Sequence, residues 1–153
     1  MKASVIFVLA VFFAPAAGAF LLAEQPQKQA VEKSGAVCPV TARPISASVA
    51  IDYQGAKVYF SSPDSIPIFQ ANLAKYASRA NYQLVVTGQA REVACPFTGK
   101  PLNPNIPTVR VYGLDVGFCC RACQQTAAGV DMLTRLDLIF GDAFKTGYAI
   151  EKK

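Results

Sequence analysis

Hydrophobic residues are concentrated at the start of the chain, in the uncharged stretch Ala3–Ala23 that follows Lys2. Its most apolar part is Val5–Phe13, and Pro15 then leads into small residues up to Ala19. A basic start, an apolar middle and a small-residue site are typical of a secretory signal peptide, so we expect cleavage near Ala19 and a periplasmic or secreted protein. An uncleaved anchor is the alternative, because the run is about as long as a membrane-spanning helix. Pro15 and the small residues favour cleavage, so the mature chain is not expected to span a membrane.

The remaining residues show turn signals and short apolar stretches in the same order twice. A Cys-Pro turn precedes a predicted β-hairpin, a helix and a closing apolar strand. In the first half, the predicted elements are strands Ser48–Tyr53 and Lys57–Phe60, a helix over Ile66–Tyr76 and a strand over Tyr82–Val86. In the second half, they are strands Thr108–Tyr112 and Val116–Cys119, a helix from about Arg121 to Leu136 and a strand over Leu138–Phe140.

Turn residues and apolar positions refine these elements. Gln54-Gly55 and Gly113-Leu114 are predicted to form the hairpin turns. The apolar helix positions are Ile68, Phe69, Leu73 and Tyr76 in the first half and Ala122, Val130 and Leu133 in the second. The aromatic strand residues expected in the core are Tyr53, Tyr59, Phe60, Tyr112 and Phe118.

The two halves also match residue by residue. Cys38–Ile45 recurs as Cys95–Leu102, and Tyr53–Phe60 corresponds to Val111–Phe118. The offset is 57 residues at the cysteines and 58 at the phenylalanines, so the second copy has one residue more. A unit this short buries its apolar face poorly alone, and we therefore expect an internal duplication whose two copies pack together.

The predicted organisation has four segments. Residues 1–19 are the signal peptide and residues 20–36 a polar linker, with the folded part starting near Val37. Residues 37–90 form the first unit and residues 91–153 the second. The predicted fold class is α+β, with two small tandem units that each contain a turn, a hairpin, a helix and a closing strand.

Composition removes many kinds of chemistry. The 153 residues include no histidine, so the chain can build no Ser-His-Asp triad, Cys-His dyad or histidine-ligated metal site. The 15 Lys+Arg and 10 Asp+Glu give a net charge of +5, but they form no basic stripe, and a nucleic-acid partner is not expected. No enzyme activity is expected either, and the five cysteines remain as the distinctive residues.

Three of these cysteines, Cys119, Cys120 and Cys123, lie in one segment, whereas Cys38 and Cys95 stand alone. Thiolates bind soft or borderline ions such as Cu(I) and Zn(II) tightly. A cysteine on a turn and two more at a strand–helix junction can converge on one ion, and the N–H groups at a helix N-terminus favour thiolate. The predicted metal ligands are Cys95, Cys119 and Cys123, with Cys120 as a spare or fourth ligand.

A family resemblance supports this interpretation. The pattern Cys-Pro-x-Thr-Gly-Lys-Pro-x-Asn-Pro that begins at Cys95, followed by a strand, a Gly turn and Phe-Cys-Cys-x-x-Cys, resembles the YHS/TRASH group of small metal-binding domains. The resemblance covers Cys95–Gln124 well and Cys38–Tyr76 in degenerate form. It implies treble-clef-like units, a bound transition-metal ion, Cu(I) or Zn(II), and a role in metal trafficking, sensing or sequestration. A metal-transfer or membrane-transport protein is the partner that such a role implies.

The sequence departs from the family pattern at several positions. Thr98 stands where the opening turn of treble clefs often has a second cysteine, as Thr41 does in the first copy. In the first copy Ser61 and Ser65 replace the two sulfur ligands, and we expect them to act as turn or cap residues. The gap of 23 residues between Cys95 and Cys119 is slightly longer than is usual in the family.

Two alternatives to metal binding remain at the level of the sequence. In an oxidising compartment, Cys95 can form a structural disulfide with Cys119 or Cys123, which would make the chain a non-catalytic interaction module. Cys120-x-x-Cys123 at a helix start is also the arrangement of reactive thiols in thiol–disulfide oxidoreductases and redox sensors. Cys38 is expected to be a small buried apolar residue or to cross-link to the other unit.

Overall fold

Small antiparallel sheets and helices make up residues 34–151, the part of the chain that the computed structural model describes, so the α+β fold class is confirmed. The predicted signal peptide and most of the predicted linker lie outside these residues. The strands are β1 (Ser46–Tyr53), β2 (Ala56–Phe60), β3 (Ala90–Glu92), β4 (Val109–Val111), β5 (Leu114–Val116) and β6 (Tyr148–Ile150). The helices are α1 (Ser65–Ala71), α2 (Leu73–Val86), α3 (Arg121–Ala128), α4 (Met132–Phe140) and α5 (Phe144–Gly147).

The two Cys-Pro turns close with the same backbone hydrogen bonds. The Cys38 N–H donates to Arg43 O at 2.8 Å and the Ala42 N–H to Cys38 O at 2.9 Å. In the second turn, the Cys95 N–H donates to Lys100 O at 2.9 Å and the Gly99 N–H to Cys95 O at 2.8 Å. Ala42 has a φ of 56° and Gly99 a φ of 68°, which the tight reversal requires. The left-handed conformation suits the glycine better than the alanine.

The hairpins β1–β2 and β4–β5 confirm the predicted strand pairs. Both central residues of each turn have positive φ, at Gln54-Gly55 and at Tyr112-Gly113, as expected for a type I′ turn. The predicted Gly113-Leu114 turn is therefore wrong by one residue, because Leu114 already pairs with Val111. The predicted strand Val116–Cys119 is also corrected, because pairing ends at Val116.

The predicted closing strands Tyr82–Val86 and Leu138–Phe140 are wrong, because these residues are the last turns of α2 and α4. Short apolar runs do not distinguish a strand from a buried helix segment. Each predicted single helix is two helices. Asn72 separates α1 from α2 with a φ of −135° and a ψ of 44°, and residues 129–131 separate α3 from α4. The Asp131 carboxylate caps α4 by accepting hydrogen bonds from the Leu133 and Thr134 N–H groups.

Strands that follow the helices do occur, but later in the chain, and β3 lies at the boundary between the two halves. β3 pairs antiparallel with β6, with Arg91 opposite Ala149 at the centre of the pair. The Asn81 side chain on α2 also donates to Phe140 O on α4 at 2.7 Å. These contacts across the chain show that the two halves are packed against one another.

One hydrophobic cluster contains residues of both halves. Its fully buried large side chains are Val58, Phe60, Phe69 and Leu84 from the first half and Val111, Phe118, Ile139 and Phe140 from the second. Several predicted core positions are corrected, because the structure leaves Ile68, Leu73, Tyr112, Ala122 and Leu133 exposed. Tyr112 is exposed because it is a central residue of the β4–β5 turn rather than a strand residue. None of the helices in residues 34–151 is both long and apolar enough to cross a bilayer.

Candidate metal centre

Three different elements bring the second-half cysteines together. Cys95 opens the second Cys-Pro turn and is fully buried. Cys119 lies beyond the end of β5, Cys120 is the N-cap of α3, and Cys123 is in the first turn of that helix. The hairpin β4–β5 therefore positions Cys119 beside the Cys95 turn, and the start of α3 positions Cys123 there.

The turn that holds Cys95 is itself fixed by the end of α5. The N–H groups of Val93 and Ala94 donate to Gly147 O at 2.8 and 3.1 Å. A Cβ atom on Gly147 would lie 2.6 Å from Pro96 Cα, a separation that only glycine avoids here. This close approach positions Cys95 against the rest of the core.

The sulfurs of Cys95, Cys119 and Cys123 all lie within 4.8 Å of one another. The Cys119 and Cys123 sulfurs are 4.0 Å apart. Three sulfurs that share an ion at metal–sulfur distances of ~2.3 Å lie roughly 3.8–4.0 Å from each other. Small side-chain rotations therefore bring the three sulfurs to the separations that Cu(I) or Zn(II) requires, and the donor set fits a soft ion.

Cys120 is not one of these three mutually close sulfurs. Its side chain is exposed, and its Sγ contacts the Cys123 Sγ at 3.5 Å. The residue assigned from the sequence as a spare or fourth ligand thus lies at the solvent side of the site. Cys38, which the sequence left outside the ligand set, is fully buried in the first Cys-Pro turn.

Hydrogen bonds to Cys95 favour its thiolate. Burial raises the pKa of the Cys95 thiol, but the Cys119 backbone N–H and the Thr98 hydroxyl donate to the sulfur, and the net result lowers that pKa to about 7. Burial together with the neighbouring Cys120 and Cys95 raises the pKa of Cys123 to about 12. In the cluster without an ion, these shifts favour the thiolate at Cys95 and the protonated thiol at Cys123.

All five cysteines are free thiols in the described residues, which include every cysteine of the chain. A cross-link between Cys38 and the second half is therefore not observed, whereas its predicted burial is confirmed. The hydroxyl of Thr41 and the backbone N–H of Ser61 donate to the Cys38 sulfur. Burial raises the pKa of Cys38, but these hydrogen bonds lower it to about 7.

Two side chains at the site were not identified from the sequence. The Thr98 hydroxyl contacts the Cys119 Sγ at 3.2 Å, a role that a Cys-Pro-x-Thr pattern could have suggested. The partly buried Glu92 carboxylate accepts the Gly117 N–H at 3.0 and 3.2 Å. Burial raises the pKa of Glu92 to about 7, although the Gly117 hydrogen bond opposes this shift. Nothing in the sequence indicates that Glu92 is partly buried rather than exposed on its strand.

The chain was compared with protein-family models, curated proteins and solved structures, and nothing matches it significantly in any of the three comparisons. The resemblance to the YHS/TRASH group therefore stays a prediction that depends on the residues quoted for it. The geometry of the cysteine cluster carries the functional conclusion.

Proposed function

We propose that the protein is an exported soft-metal-binding protein that holds Cu(I) or Zn(II) on the thiolates of Cys95, Cys119 and Cys123. The single observation that carries the proposal is the mutual approach of the three sulfurs within 4.8 Å. Cys95 is 24 residues before Cys119 in the chain, so only the fold brings it to the other two. Burial of one ligand and partial exposure of the others give an ion a protected site with an open side.

Each ligand has a distinct part in this proposal. Cys95 supplies a thiolate that the Cys119 N–H and the Thr98 hydroxyl stabilise. Cys119 is positioned by the contact of its sulfur with the Thr98 hydroxyl at 3.2 Å. Cys123 presents its sulfur from the first turn of α3. Because burial and the neighbouring sulfurs raise the pKa of Cys123, its thiolate forms as the ion binds.

The tandem YHS/TRASH resemblance and the predicted signal peptide extend the proposal to the cell. A thiolate site outside the cytoplasm is suited to trafficking, sensing or sequestration of a soft ion, with a metal-transfer or membrane-transport protein as the partner. The first unit acts as a structural partner that completes the core. The matching hydrogen bonds of the Cys38 and Cys95 turns support an internal duplication.

The test is metal stoichiometry of protein purified without oxygen. Zn(II) and Cu(I) are titrated separately against a chromophoric chelator, and bound metal is counted by elemental analysis. We expect about one ion per chain. Cys95→Ser, Cys119→Ser and Cys123→Ser are expected to abolish tight binding, because only two of the three proposed ligand sulfurs remain in each variant.

Cys38→Ser is the matched control, because Cys38 occupies the same kind of turn but has no neighbouring sulfur ligands. It is expected to retain full binding. Equal loss in Cys38→Ser and Cys119→Ser, or no loss in any variant, contradicts the assignment. The competition curves give the relative affinities of the site for the two ions.

A further inference from the structure

The exposed Cys120 is in contact with one metal ligand of the proposed site. Its Sγ lies 3.5 Å from the Cys123 Sγ, across the first turn of α3. As the N-cap, Cys120 has an extended backbone with a φ of −156° and a ψ of 163°, so its side chain lies at the end of the helix rather than within a turn. Closing the gap to the roughly 2.05 Å of a disulfide needs a movement of about 1.5 Å.

Accessibility distinguishes Cys120 from the other cysteines. Cys38 and Cys95 are fully buried, and Cys119 and Cys123 are partly buried. The Cys119 sulfur is also engaged by the Thr98 hydroxyl. Cys120 is thus the one exposed thiol among the five, all of which lie in the described residues. A bulky disulfide approaching from solvent meets this sulfur first.

We infer that Cys120 and Cys123 form a redox gate, in which thiol–disulfide exchange with a disulfide-bearing molecule oxidises the pair and removes Cys123 from the ion. This inference rests on the proposed function, because Cys123 must first be a ligand. The co-reactant is a disulfide, either a small molecule or an exposed protein disulfide, and the two sources share the same sulfur chemistry.

The exchange proceeds in two balanced steps. The Cys120 thiolate attacks one sulfur of the incoming disulfide, the S–S bond of that disulfide breaks, and one thiolate leaves. The Cys123 sulfur then attacks the Cys120 sulfur of the mixed disulfide, and the second thiolate leaves. Two electrons pass from the two protein sulfurs to the incoming disulfide, which becomes two thiols. One thiol takes up the proton lost by Cys120, and the other takes a proton from solvent, because Cys123 is already deprotonated while it binds the ion.

Oxidation weakens the site because a disulfide sulfur carries no negative charge to give to a metal. Cys95 and Cys119 then remain as the two thiolates, and Cys119 is held by the same Thr98 contact as before. The linkage is reciprocal, so a bound ion protects Cys123 from oxidation by the same factor by which oxidation weakens ion binding. Release of the ion on oxidation and protection of Cys123 by a bound ion therefore measure the same coupling free energy.

The test exposes metal-loaded full-length protein to oxidised glutathione in the absence of oxygen. Released ion is followed with a chromophoric chelator, and disulfides are mapped by alkylation and peptide mass spectrometry. In the unmodified protein we expect one ion released for each Cys120–Cys123 disulfide formed. In Cys120→Ser we expect full ion binding and a release rate lower by at least about tenfold.

The outcomes separate this inference from the proposed function. A Cys120–Cys123 disulfide in a protein that never binds an ion overturns both the metal site and its gate. Normal ion binding with equally fast release from Cys120→Ser, or a disulfide that joins Cys95 to Cys119, overturns the gate alone. Loss of ion binding in Cys120→Ser makes Cys120 a ligand, which also overturns the gate and keeps the site.

A second measurement does not depend on the Cys120→Ser variant. The ratio of disulfide to dithiol in the Cys120–Cys123 pair is measured for the unmodified protein at equilibrium in a glutathione redox buffer, with and without one equivalent of Zn(II). We expect Zn(II) to lower this ratio at least about tenfold. Equal ratios in the two samples contradict the coupling even if the variant fails to fold.

Discussion

The two Cys-Pro turns have nearly the same framework but different side chains at the ligand positions. In the second half, the Thr98 hydroxyl contacts the Cys119 sulfur at 3.2 Å. In the first half, the Thr41 hydroxyl contacts the Ser61 hydroxyl at 2.9 Å in the corresponding place. The Ser61 N–H donates to Cys38 as the Cys119 N–H donates to Cys95. The framework is therefore independent of the sulfurs that it presents.

The two turns are held in place differently. Gln83 on α2 is buried, and its amide donates to Val37 O at 2.9 Å and to Tyr59 O at 2.8 Å. Its carbonyl oxygen accepts the Tyr59 N–H at 2.7 Å, so one side chain ties the first turn to β2 and α2. The described residues contain no such arrangement at the second turn. There, Gly147 O accepts the Val93 and Ala94 N–H groups, which directly precede Cys95. A buried side chain therefore fixes the first turn, whereas the cluster beside the second turn is partly exposed at Cys119 and Cys123.

The largest expected effect is the creation of a second metal centre in the first half. Ser61→Cys with Ser65→Cys places sulfurs at the positions that correspond to Cys119 and Cys123, beside the existing Cys38. We expect the double variant to bind about two ions per chain, because the Cys38 turn already supplies the framework of a three-thiolate site. Elemental analysis and Zn(II) titration measure the gain.

The matched control for this gain is Ser61→Cys alone, which provides two sulfurs in the first half and is expected to bind one ion, the number proposed for the unmodified protein. A double variant that folds normally and still binds a single ion would show that the two frameworks differ in a way that their hydrogen bonds do not reveal.

The next effect separates stability from ion binding. Phe60 and Phe118 are both fully buried, and Phe60 packs against Phe69 while Phe118 packs against Phe97 of the Cys95 turn. Phe60→Ala and Phe118→Ala are each expected to lower the free energy of unfolding by about 3–5 kcal/mol in the metal-free protein. Urea denaturation under reducing conditions measures both.

Only Phe118→Ala is expected to weaken Zn(II) binding as well, because Phe118 directly precedes Cys119 and contacts the turn that carries Cys95. The experiment is a Zn(II) titration of both variants at a temperature where each remains folded. If Phe60→Ala weakens Zn(II) binding as much as Phe118→Ala does, packing in the first half also determines the geometry of the cysteine cluster.

A smaller effect concerns Glu92, which has no counterpart in the first half, where Gly35 stands at the corresponding position. The folded-state pKa of Glu92 is raised from 4.5 to about 7, so the folded protein keeps a proton that the unfolded chain loses. Stability due to Glu92 is complete below pH 4.5 and is lost as the pH rises to about 7. Glu92→Gln is therefore expected to raise the free energy of unfolding at pH 8 by roughly 1–2 kcal/mol.

Urea denaturation of the metal-free Glu92→Gln variant and the unmodified protein at pH 4 and pH 8 checks this sign. The cysteines titrate identically in both, so their contribution cancels. A variant that is less stable than the unmodified protein at pH 8 would show that the ionised carboxylate, with its Gly117 hydrogen bond, is favourable.

The smallest expected effect concerns the left-handed residue of each Cys-Pro turn, which is changed from glycine to alanine in one turn and from alanine to glycine in the other. Gly99→Ala is expected to destabilise the protein by about 1 kcal/mol, because alanine is strained at a φ of 68°. Ala42→Gly is expected to stabilise it by roughly 0.5 kcal/mol, since relief of strain exceeds the entropy that glycine adds to the unfolded chain. Thermal or urea denaturation is expected to show changes of opposite sign in the free energy of unfolding of the two variants. Changes of the same sign would refute the equivalence of the turns.

The sequence was sufficient where local chemistry determines structure. Prolines exclude a helix from the Cys-Pro turns, and Gln54-Gly55 lies between two alternating runs at the first hairpin turn. The approach of Cys95 to Cys119 and Cys123 was also predictable, since a turn, a hairpin and a helix start converge in the family that the motif resembles.

Other features depend on contacts that a linear pattern does not contain. Tyr82–Val86 satisfies strand and helix patterns equally, and packing against α4 decides the matter in favour of a helix. Strands of three residues such as β3 carry too few positions for any periodicity. The burial of Gln83 and Glu92 depends on which elements cover them, and polar side chains give no sign of this in the sequence.

The pairing of β3 with β6 bears on the order in which the protein can be made. β6 is synthesised last among the described elements, so the edge of β3 has no partner until Tyr148–Ile150 has emerged. Gly147, whose carbonyl oxygen receives the N–H groups just before Cys95, emerges at the same stage. A nascent chain therefore lacks both the β3–β6 pairing and the Gly147 contact that fixes the Cys95 turn until Gly147 and β6 have emerged.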